Sequence, residues 1–275
     1  MKLKKLFNKK LLGVVLSLTL GISAVGCSTK SNVSSKNDKT IAVGAMQVPG
    51  TELFEHLKSE VEKEGYELEI VTFNDYTTPN TALADSEIDA NLFQHRPYLN
   101  ESIEKQGYDL TDVVGLYEVP LQAYSNKIKS FDELKSGDKF AIPNDPTNGS
   151  RALKILEDEG VIKLKEGVEL SSAKDIIENK RNIEFIEADA SQLPSLLQDV
   201  DAAFINGNFA AAAGLDANKQ SIYSPEIDGT YENVLACRTE DLNSEKIEIL
   251  KKILTSDESR SFLKEHYKGI IIPTF

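Results

Sequence analysis

The sequence FAIPNDPTNGSRALKILEDEG, residues 140–160, places a short apolar strand before a helix that carries an arginine. We predict a buried strand at 140–142, a loop rich in turn-forming residues at 143–148, and a helix at 151–159 that ends at Gly160. In open α/β sheets, ligands bind outside the carboxyl ends of strands. The loop and the start of this helix are therefore the first candidates for a ligand site.

Arg151 begins the predicted helix, where a cation opposes the helix dipole. Helical side chains lean toward the N-terminus, so the guanidinium would lie over free N–H groups that attract anions. One interpretation is a seat for a carboxylate or phosphate. The other is a structural ion pair with Asp145, since Lys154 and Ile155 give the helix no acidic partner of its own. The local residues leave both interpretations open.

Residues 1–26 are predicted to be an export signal. A segment with five lysines precedes an apolar run at 11–25 that is short for a bilayer span. The run ends in Ala24-Val25-Gly26-Cys27, which resembles the lipobox of bacterial lipoproteins, where the cysteine becomes the N-terminus and carries acyl chains such as palmitate. The alternative is an ordinary secretory signal that is cleaved near a chance cysteine.

Residues 27–39 are polar and are predicted to be a flexible tether. The formal net charge of the chain is −13, and removal of a basic signal makes the mature protein more acidic still. Such a surface does not hold nucleic acid or an anionic bilayer. We expect a protein on the cell membrane that faces outside the cytoplasm and contacts the membrane through its lipid anchor only.

Cysteine usage and motifs argue against catalysis. After Cys27 only Cys237 remains, which excludes an internal disulfide and a cysteine-rich metal site; we expect Cys237 to be a buried strand residue. The sequence has no GxSxG, P-loop, HExxH or GxGxxG motif, and His56 and His266 show no metal-ligand spacing. We expect a binding protein rather than an enzyme, with no cofactor and no metal.

From residue 40 onward, predicted strands and helices alternate, which indicates an α/β fold. A strand at 40–45, a helix at 51–64 and a strand at 68–73 form a βαβ unit. Further strands are predicted at 88–93, 112–117, 121–125, 183–187, 202–205 and 234–238. Further helices are predicted at 78–84, 97–105, after a capping box of Ser130 and Glu133, and at 173–178, 191–198, 209–213, 244–254 and 257–266. Two βα clusters favour two lobes with a cleft between them.

Loops that follow strands suggest the ligand class. Phe93, His95 and Tyr98 gather at a strand-to-helix junction, and Tyr76 lies in another such loop, so these residues could form an aromatic slot suited to a thioether. Asn206 could accept hydrogen bonds from an ammonium group. The alternatives are core aromatics and simple turn chemistry. With Arg151 as an anion seat, the set is complementary to an amino acid or a short peptide.

Several long segments closely resemble the methionine-binding lipoproteins, the solute-binding components of methionine ABC importers. The resemblance covers essentially the whole mature chain. It is carried by EIVTFNDYTTPNTALADSEIDANLFQHRPYL (69–99), AIPNDPTNGSRAL (141–153), DAAFINGNFAAAAGL (201–215) and GIIIPTF (269–275).

The resemblance implies a two-lobed periplasmic-binding-protein fold, type II-like, with lobe I at 40–118 and 233–275 and lobe II at 119–232. It implies a monomer that captures L-methionine by hinge closure and delivers it to an ABC permease with its ATPase. The alternatives are a binding protein for D-methionine or a methionine-containing dipeptide, and a surface protein that serves adhesion or signalling.

The resemblance also implies roles for individual residues. Arg151 would bind the ligand carboxylate with Asn148 nearby, and Asn206 and Asn233 would hold the amino group and backbone. The thioether would be enclosed by Tyr76, Phe93, His95 and Tyr98. The chain departs from the family where relatives have VGATPVPHAE, because MQVPGTE follows the first strand here. In that loop, Gly50 could leave room for a dipeptide.

Overall fold

The computed structural model describes residues 39–268 and 270–275. The predicted signal peptide, the lipidation site Cys27 and the predicted tether up to residue 38 lie outside these residues. Within the described part of the chain, no helix is long and apolar enough to cross a bilayer.

A six-stranded sheet is built from both ends of the described chain. In spatial order its strands are β13 (Ile272–Pro273), β4 (Leu110–Glu118), β12 (Glu232–Arg238), β3 (Ala90–His95), β1 (Thr40–Met46) and β2 (Glu67–Phe73). β1 runs parallel to β2 and β3, whereas β12 is antiparallel to β3 and β4. Almost every residue of β1 and β3 is buried, as expected for parallel strands with both faces covered.

Helices cover both faces of this sheet. They are α1 (Glu52–Lys63), α2 (Thr78–Ala84), α3 (Arg96–Gln106), α8 (Glu245–Leu254) and α9 (Asp257–Tyr267). α1 buries Leu53, Leu57 and Val61 at helical spacing and packs against α8 and α9. Ser244 and Ser256 cap the last two helices through their hydroxyl groups, so both helices begin where the sequence predicts.

A five-stranded sheet lies in the middle of the chain. Its strands in spatial order are β11 (Ser221–Tyr223), β5 (Leu121–Tyr124), β10 (Ala202–Asn206), β6 (Lys139–Pro143) and β9 (Glu184–Ala188). A small hairpin and four helices accompany it: β7 (Lys163–Leu164), β8 (Ile176–Glu178), α4 (Pro146–Asp158), α5 (Leu193–Leu196), α6 (Gly207–Ala212) and α7 (Ala217–Gln220). The chain enters this sheet after β4 and returns to β12, which makes the fold two-lobed.

The prediction that Arg151 begins its helix is wrong. α4 begins at Pro146, so Asn148 lies in its first turn and Arg151 in its second. Proline is well suited to the first helical position, where its missing N–H has no partner to lose. The carboxylate of Asp145 accepts the N–H of Asn148 at 2.9 Å and thereby caps the helix.

Two shorter predictions also need correction. The helix predicted at 173–178 is a single 3₁₀ turn, Ala173–Asp175, followed by β8. Ser130 makes no capping hydrogen bond, and the carboxylate of Glu133 instead accepts the N–H of Lys129 at 2.9 Å. In both places the helical segment is one 3₁₀ turn. So short a segment forms too few hydrogen bonds for intrinsic helix preference to decide its conformation.

Gly50 lies in the turn Gln47–Thr51 between β1 and α1. A Cβ atom at Gly50 would stand 2.7 Å from the Cβ of Ala45 and 2.8 Å from the carbonyl oxygen of Leu92. The missing side chain therefore allows the turn to pack on β1 and β3. The interpretation that it leaves room for a larger ligand is wrong.

The Gly50→Ala variant tests this packing. The added methyl group should overlap atoms of β1 and β3 and lower the free energy of unfolding by about 1–3 kcal/mol. Gln47→Ala is the matched control, because Gln47 is exposed in the same turn and should change stability by less than about 0.5 kcal/mol. Urea unfolding measures both. Equal stability of the two variants would contradict the close packing at Gly50.

Candidate ligand-binding site

A cavity with about 430 Å³ of empty space, part of it open to solvent, lies between residues of the two sheets. β1, β3, β4 and β10 contribute residues from their carboxyl ends, as expected for α/β sheets. The lining residues are Met46, Val48, Pro49, Tyr76, Phe93, Gln94, His95, Tyr98, Tyr117, Val119, Asn148, Asn206, Asn208 and Asn233.

The structure brings together all the predicted ligand residues except Arg151, which does not line the cavity. Several lining residues were missed by the sequence interpretation. Tyr117 is the next-to-last residue of β4, so the same carboxyl-end rule could have found it. Val48, Pro49 and Val119 carry no polar signal in the sequence and could not have been singled out.

Tyr76, Phe93 and Tyr98 form an aromatic wall, with ring centroids 5.9–6.1 Å apart. The hydroxyl of Tyr98 donates to the carbonyl oxygen of Tyr76 at 2.8 Å, and the hydroxyl of Tyr76 donates to Oδ1 of Asn208 at 2.7 Å. Burial raises the pKa of Tyr76 well above its usual value, so it keeps its proton. With both hydroxyls engaged, these rings offer mainly apolar, polarisable surface.

His95 is neutral and carries its proton on Nε2. Burial, and to a smaller extent the charge of Arg151, lower the pKa of His95 to about 3. Nδ1 accepts the N–H of Tyr98 at 3.1 Å and caps α3, so the proton belongs to Nε2. That nitrogen lies 3.1 Å from Oδ1 of Asn148 and donates to it. The imidazole is therefore a neutral hydrogen-bond donor.

Four asparagines line the cavity: Asn148, Asn206, Asn208 and Asn233. Nδ2 of Asn206 donates to Oδ1 of Asn148 at 3.0 Å. Oδ1 of Asn206 is buried and accepts no hydrogen bond from any described residue. Asn233 stands opposite His95 in the pairing of β12 with β3. Because buried polar atoms in native structures nearly always have partners, the free oxygen of Asn206 marks a place for a ligand donor.

Two hydrogen bonds cross the cavity. Tyr76 and His95 come from the side of the six-stranded sheet, while their partners Asn208 and Asn148 come from the side of the five-stranded sheet. The two walls are thus in direct contact, which describes a closed conformation.

Arg151 lies behind the cavity wall and is only 3% exposed. Its guanidinium stacks on the ring of Tyr231, with 3.8 Å from the guanidinium carbon to the ring centroid. One terminal nitrogen lies 3.5 Å from Oε1 of Glu118, and the other lies 3.4 Å from the carbonyl oxygen of Val119. The alternative of an ion pair with Asp145 is wrong, because Asp145 caps α4 and the acidic partner is Glu118.

Glu118 ends β4 and joins three parts of the chain. Besides facing Arg151, its carboxylate accepts the N–H of Gly229 at 2.9 Å. Burial raises the pKa of Glu118, and the charge of Arg151 opposes this shift. The carboxylate thereby ties both connections between the sheets to α4.

Glu118→Gln tests the importance of this buried pair. Loss of the carboxylate charge leaves the guanidinium of Arg151 buried without its counter-ion, which should lower the free energy of unfolding by about 3 kcal/mol. Asp112→Asn is the matched control, since the Arg96–Asp112 pair is 40% exposed on both sides and should contribute less than about 1 kcal/mol. Denaturant unfolding compares the two. A smaller loss for Glu118→Gln than for the control would contradict the pairing.

The sequence of this chain matches known proteins along most of its length. The family model described as NlpA lipoprotein matches residues 41–275. The probable D-methionine-binding lipoprotein MetQ of Vibrio cholerae is 38% identical over 266 residues, which is 96% of this chain and 97% of the relative.

Solved structures are similar over most of the chain. A putative lipoprotein from Clostridium difficile is 52% identical with a TM-score of 0.84, covering 87% of this chain and all of the other. A nutrient binding protein from Burkholderia cenocepacia, solved bound to methionine, is 39% identical with a TM-score of 0.83, covering 86% of this chain and all of the other.

Proposed function

The chain belongs to the NlpA lipoprotein family, and we propose that it is a lipid-anchored, monomeric solute-binding protein that captures L-methionine outside the cytoplasm and delivers it to an ABC importer. Cys27 would carry the anchor, and the permease with its ATPase would receive the ligand. The Vibrio cholerae relative and the methionine-bound structure from Burkholderia cenocepacia support this choice of ligand and role. The protein would bind its ligand reversibly, without catalysis.

The observation that carries the proposal is the free, buried Oδ1 of Asn206. A buried acceptor without a donor costs about 1–3 kcal/mol, and a ligand ammonium group would remove that cost. Asn233 lines the same cavity and would assist. The amino group of an amino acid is a donor of the required kind.

The aromatic wall would hold the side chain of the ligand. Sulfur lies favourably near the edge or face of aromatic rings, and the rings of Tyr76, Phe93 and Tyr98 lie together in the cavity. His95 is neutral and adds a flat ring surface. A thioether can pack against this ring without removing a charge from water. These features favour methionine over a charged amino acid.

Arg151 would bind the ligand carboxylate together with Asn148, one helical turn before it. Its two hydrogen bonds, at 3.4 and 3.5 Å, are long, so a carboxylate could compete for these donors. Binding in this way requires the guanidinium to turn from Glu118 toward the cavity. Tyr231 would remain a stacking surface during that movement.

Closure would occur between lobe I, residues 40–118 and 233–275, and lobe II, residues 119–232. The hydrogen bonds from Tyr76 and His95 to the opposite wall would break on opening and form again on closing. A ligand that touches both walls stabilises the closed state by its differential affinity.

D-methionine is the second candidate, since relatives carry that ligand in their names. A methionine-containing dipeptide is a further alternative. Competition calorimetry with L-methionine, D-methionine and Gly-Met separates the three. Tightest binding of L-methionine supports the proposal, and tightest binding of another ligand replaces it while leaving the site unchanged.

Native mass spectrometry of the protein from Ser28 onward tests the proposal directly. We expect methionine to be carried through purification and to be released on denaturation. Asn206→Leu should release much less, because the hydrophobic side chain removes the ammonium acceptor. Release of the same small molecule in equal amount from both proteins would contradict the proposed site.

Phe93→Ala tests the aromatic wall. Loss of the ring should weaken methionine about ten-fold, or about 1.4 kcal/mol, while alanine as a ligand should be affected much less. The ratio of the two affinities is the readout, because a general loss of stability would lower both. Phe262→Ala is the control, since Phe262 stacks between His56 and His266 and does not line this cavity. An unchanged ratio in Phe93→Ala would contradict a thioether slot.

A further inference from the structure

Asp145 does not line the cavity, yet it stands at the start of a chain of hydrogen bonds that ends there. We propose that Asp145 is a positioning residue: through Asn148 it holds the side-chain amide of Asn206 with its oxygen toward the ligand, and so selects ligands that carry an α-ammonium group. The selection rests on the proposed function, whereas the orientation of the amides can be measured without any ligand.

The first step joins Asp145 to Asn148. Nδ2 of Asn148 lies 3.1 Å from each carboxylate oxygen of Asp145, whose Oδ1 also accepts the N–H of Asn148 and the hydroxyl of Thr147. An ionised carboxylate can only accept hydrogen bonds. The amide of Asn148 must therefore turn its NH₂ group toward Asp145 and its oxygen away.

The second step joins Asn148 to Asn206. Oδ1 of Asn148 accepts from Nδ2 of Asn206 at 3.0 Å. If the amide of Asn206 were reversed, two oxygens would face each other at that distance. Nδ2 of Asn206 is thus committed to Asn148, and Oδ1 is the atom left for the cavity, where it has no partner among the described residues. Each of these hydrogen bonds has a fixed direction. Because Asp145 can only accept, the atom that Asn206 turns toward the cavity is also an acceptor.

His95 supports the same orientation from the opposite wall. Its Nε2–H donates to Oδ1 of Asn148, so a reversed Asn148 would set two donors against each other. This hydrogen bond crosses the cavity and would be lost on opening. Asp145 caps the helix that carries Asn148, only three residues away, and would keep its contact in either state. Asp145 is therefore the group that would hold the acceptor ready before the ligand arrives.

Helix capping alone does not require an aspartate here. Asparagine is as good an N-cap as aspartate, but its side chain carries a donor as well as an acceptor. Asp145→Asn therefore keeps the cap while allowing Asn148 to reverse. The melting temperature of this variant should stay close to that of the wild type.

Binding by the full-length protein gives the first readout. Methionine should bind Asp145→Asn about ten-fold more weakly, since the ammonium loses part of a charge-assisted hydrogen bond. The 2-hydroxy analogue of methionine should change by less than about two-fold, because a hydroxyl both donates and accepts. Asp216→Asn, which alters the cap of α7 by the same chemistry, should change neither affinity.

NMR on the ligand-free, full-length protein gives the second readout, a scalar coupling across a hydrogen bond. Loss of the negative charge of Asp145 would not by itself change this coupling. A scalar coupling across the hydrogen bond from Nδ2 of Asn206 to the side-chain carbonyl group of Asn148 should be present in the wild type and in Asp216→Asn. It should be lost or clearly weakened in Asp145→Asn.

The outcomes separate the two proposals. Equal loss for methionine and its hydroxy analogue, or an unchanged coupling in Asp145→Asn, overturns the positioning role of Asp145 and leaves the proposed function intact. A wild-type protein that does not bind methionine overturns the proposed function, while loss of the coupling in Asp145→Asn still supports the positioning role.

Discussion

A buried guanidinium lies where the two sheets are joined, and the closed structure depends on its compensation. Arg151 lies on α4, which accompanies the five-stranded sheet. Glu118 ends β4 of the six-stranded sheet, and Tyr231 lies in the segment that leads back to β12 of that sheet. An ion removed from water costs several kcal/mol unless opposite charge and hydrogen bonds surround it. Because the compensating groups come from both connections, the charge of Arg151 fixes how the two sheets meet at the cavity.

Burial and charge also fix which polar groups of the cavity donate hydrogen bonds and which accept them. His95 stays neutral because it is buried near Arg151, and its one available proton points to Asn148. Asn148 lies between this donor and the carboxylate of Asp145, which leaves it a single favourable orientation. Among the described residues, the buried Oδ1 of Asn206 is therefore left as an unsatisfied acceptor at the cavity. A site with such polarity discriminates by chemistry as well as by shape.

The sequence predicted the alternation of strands and helices, because apolar periodicity and Gly or Pro punctuation act locally. The residues themselves also indicated Tyr76, Phe93, His95, Tyr98 and Asn206, all of which line the cavity. The prediction failed at the start of α4, where Pro146 was interpreted as a turn residue although it follows a capping aspartate. The partner of Arg151 could not be predicted, since Glu118 is distant in sequence and no local pattern links them. Asn233 came only from family resemblance.

Two opposite charges, one at the start of α4 and one in its second turn, act on the polar side of the site. Asp145 caps α4 and Arg151 lies in its second turn, which places them about 9 Å apart along the axis at 1.5 Å per residue. Asp145 acts on the cavity through neutral amides, so an ammonium group meets an oriented oxygen rather than a bare carboxylate. Arg151 can act on a carboxylate only by leaving Glu118. The ammonium end of a zwitterion would therefore find its site already formed, whereas the carboxylate end would have to displace an internal partner, which couples ligand binding to the junction between the lobes.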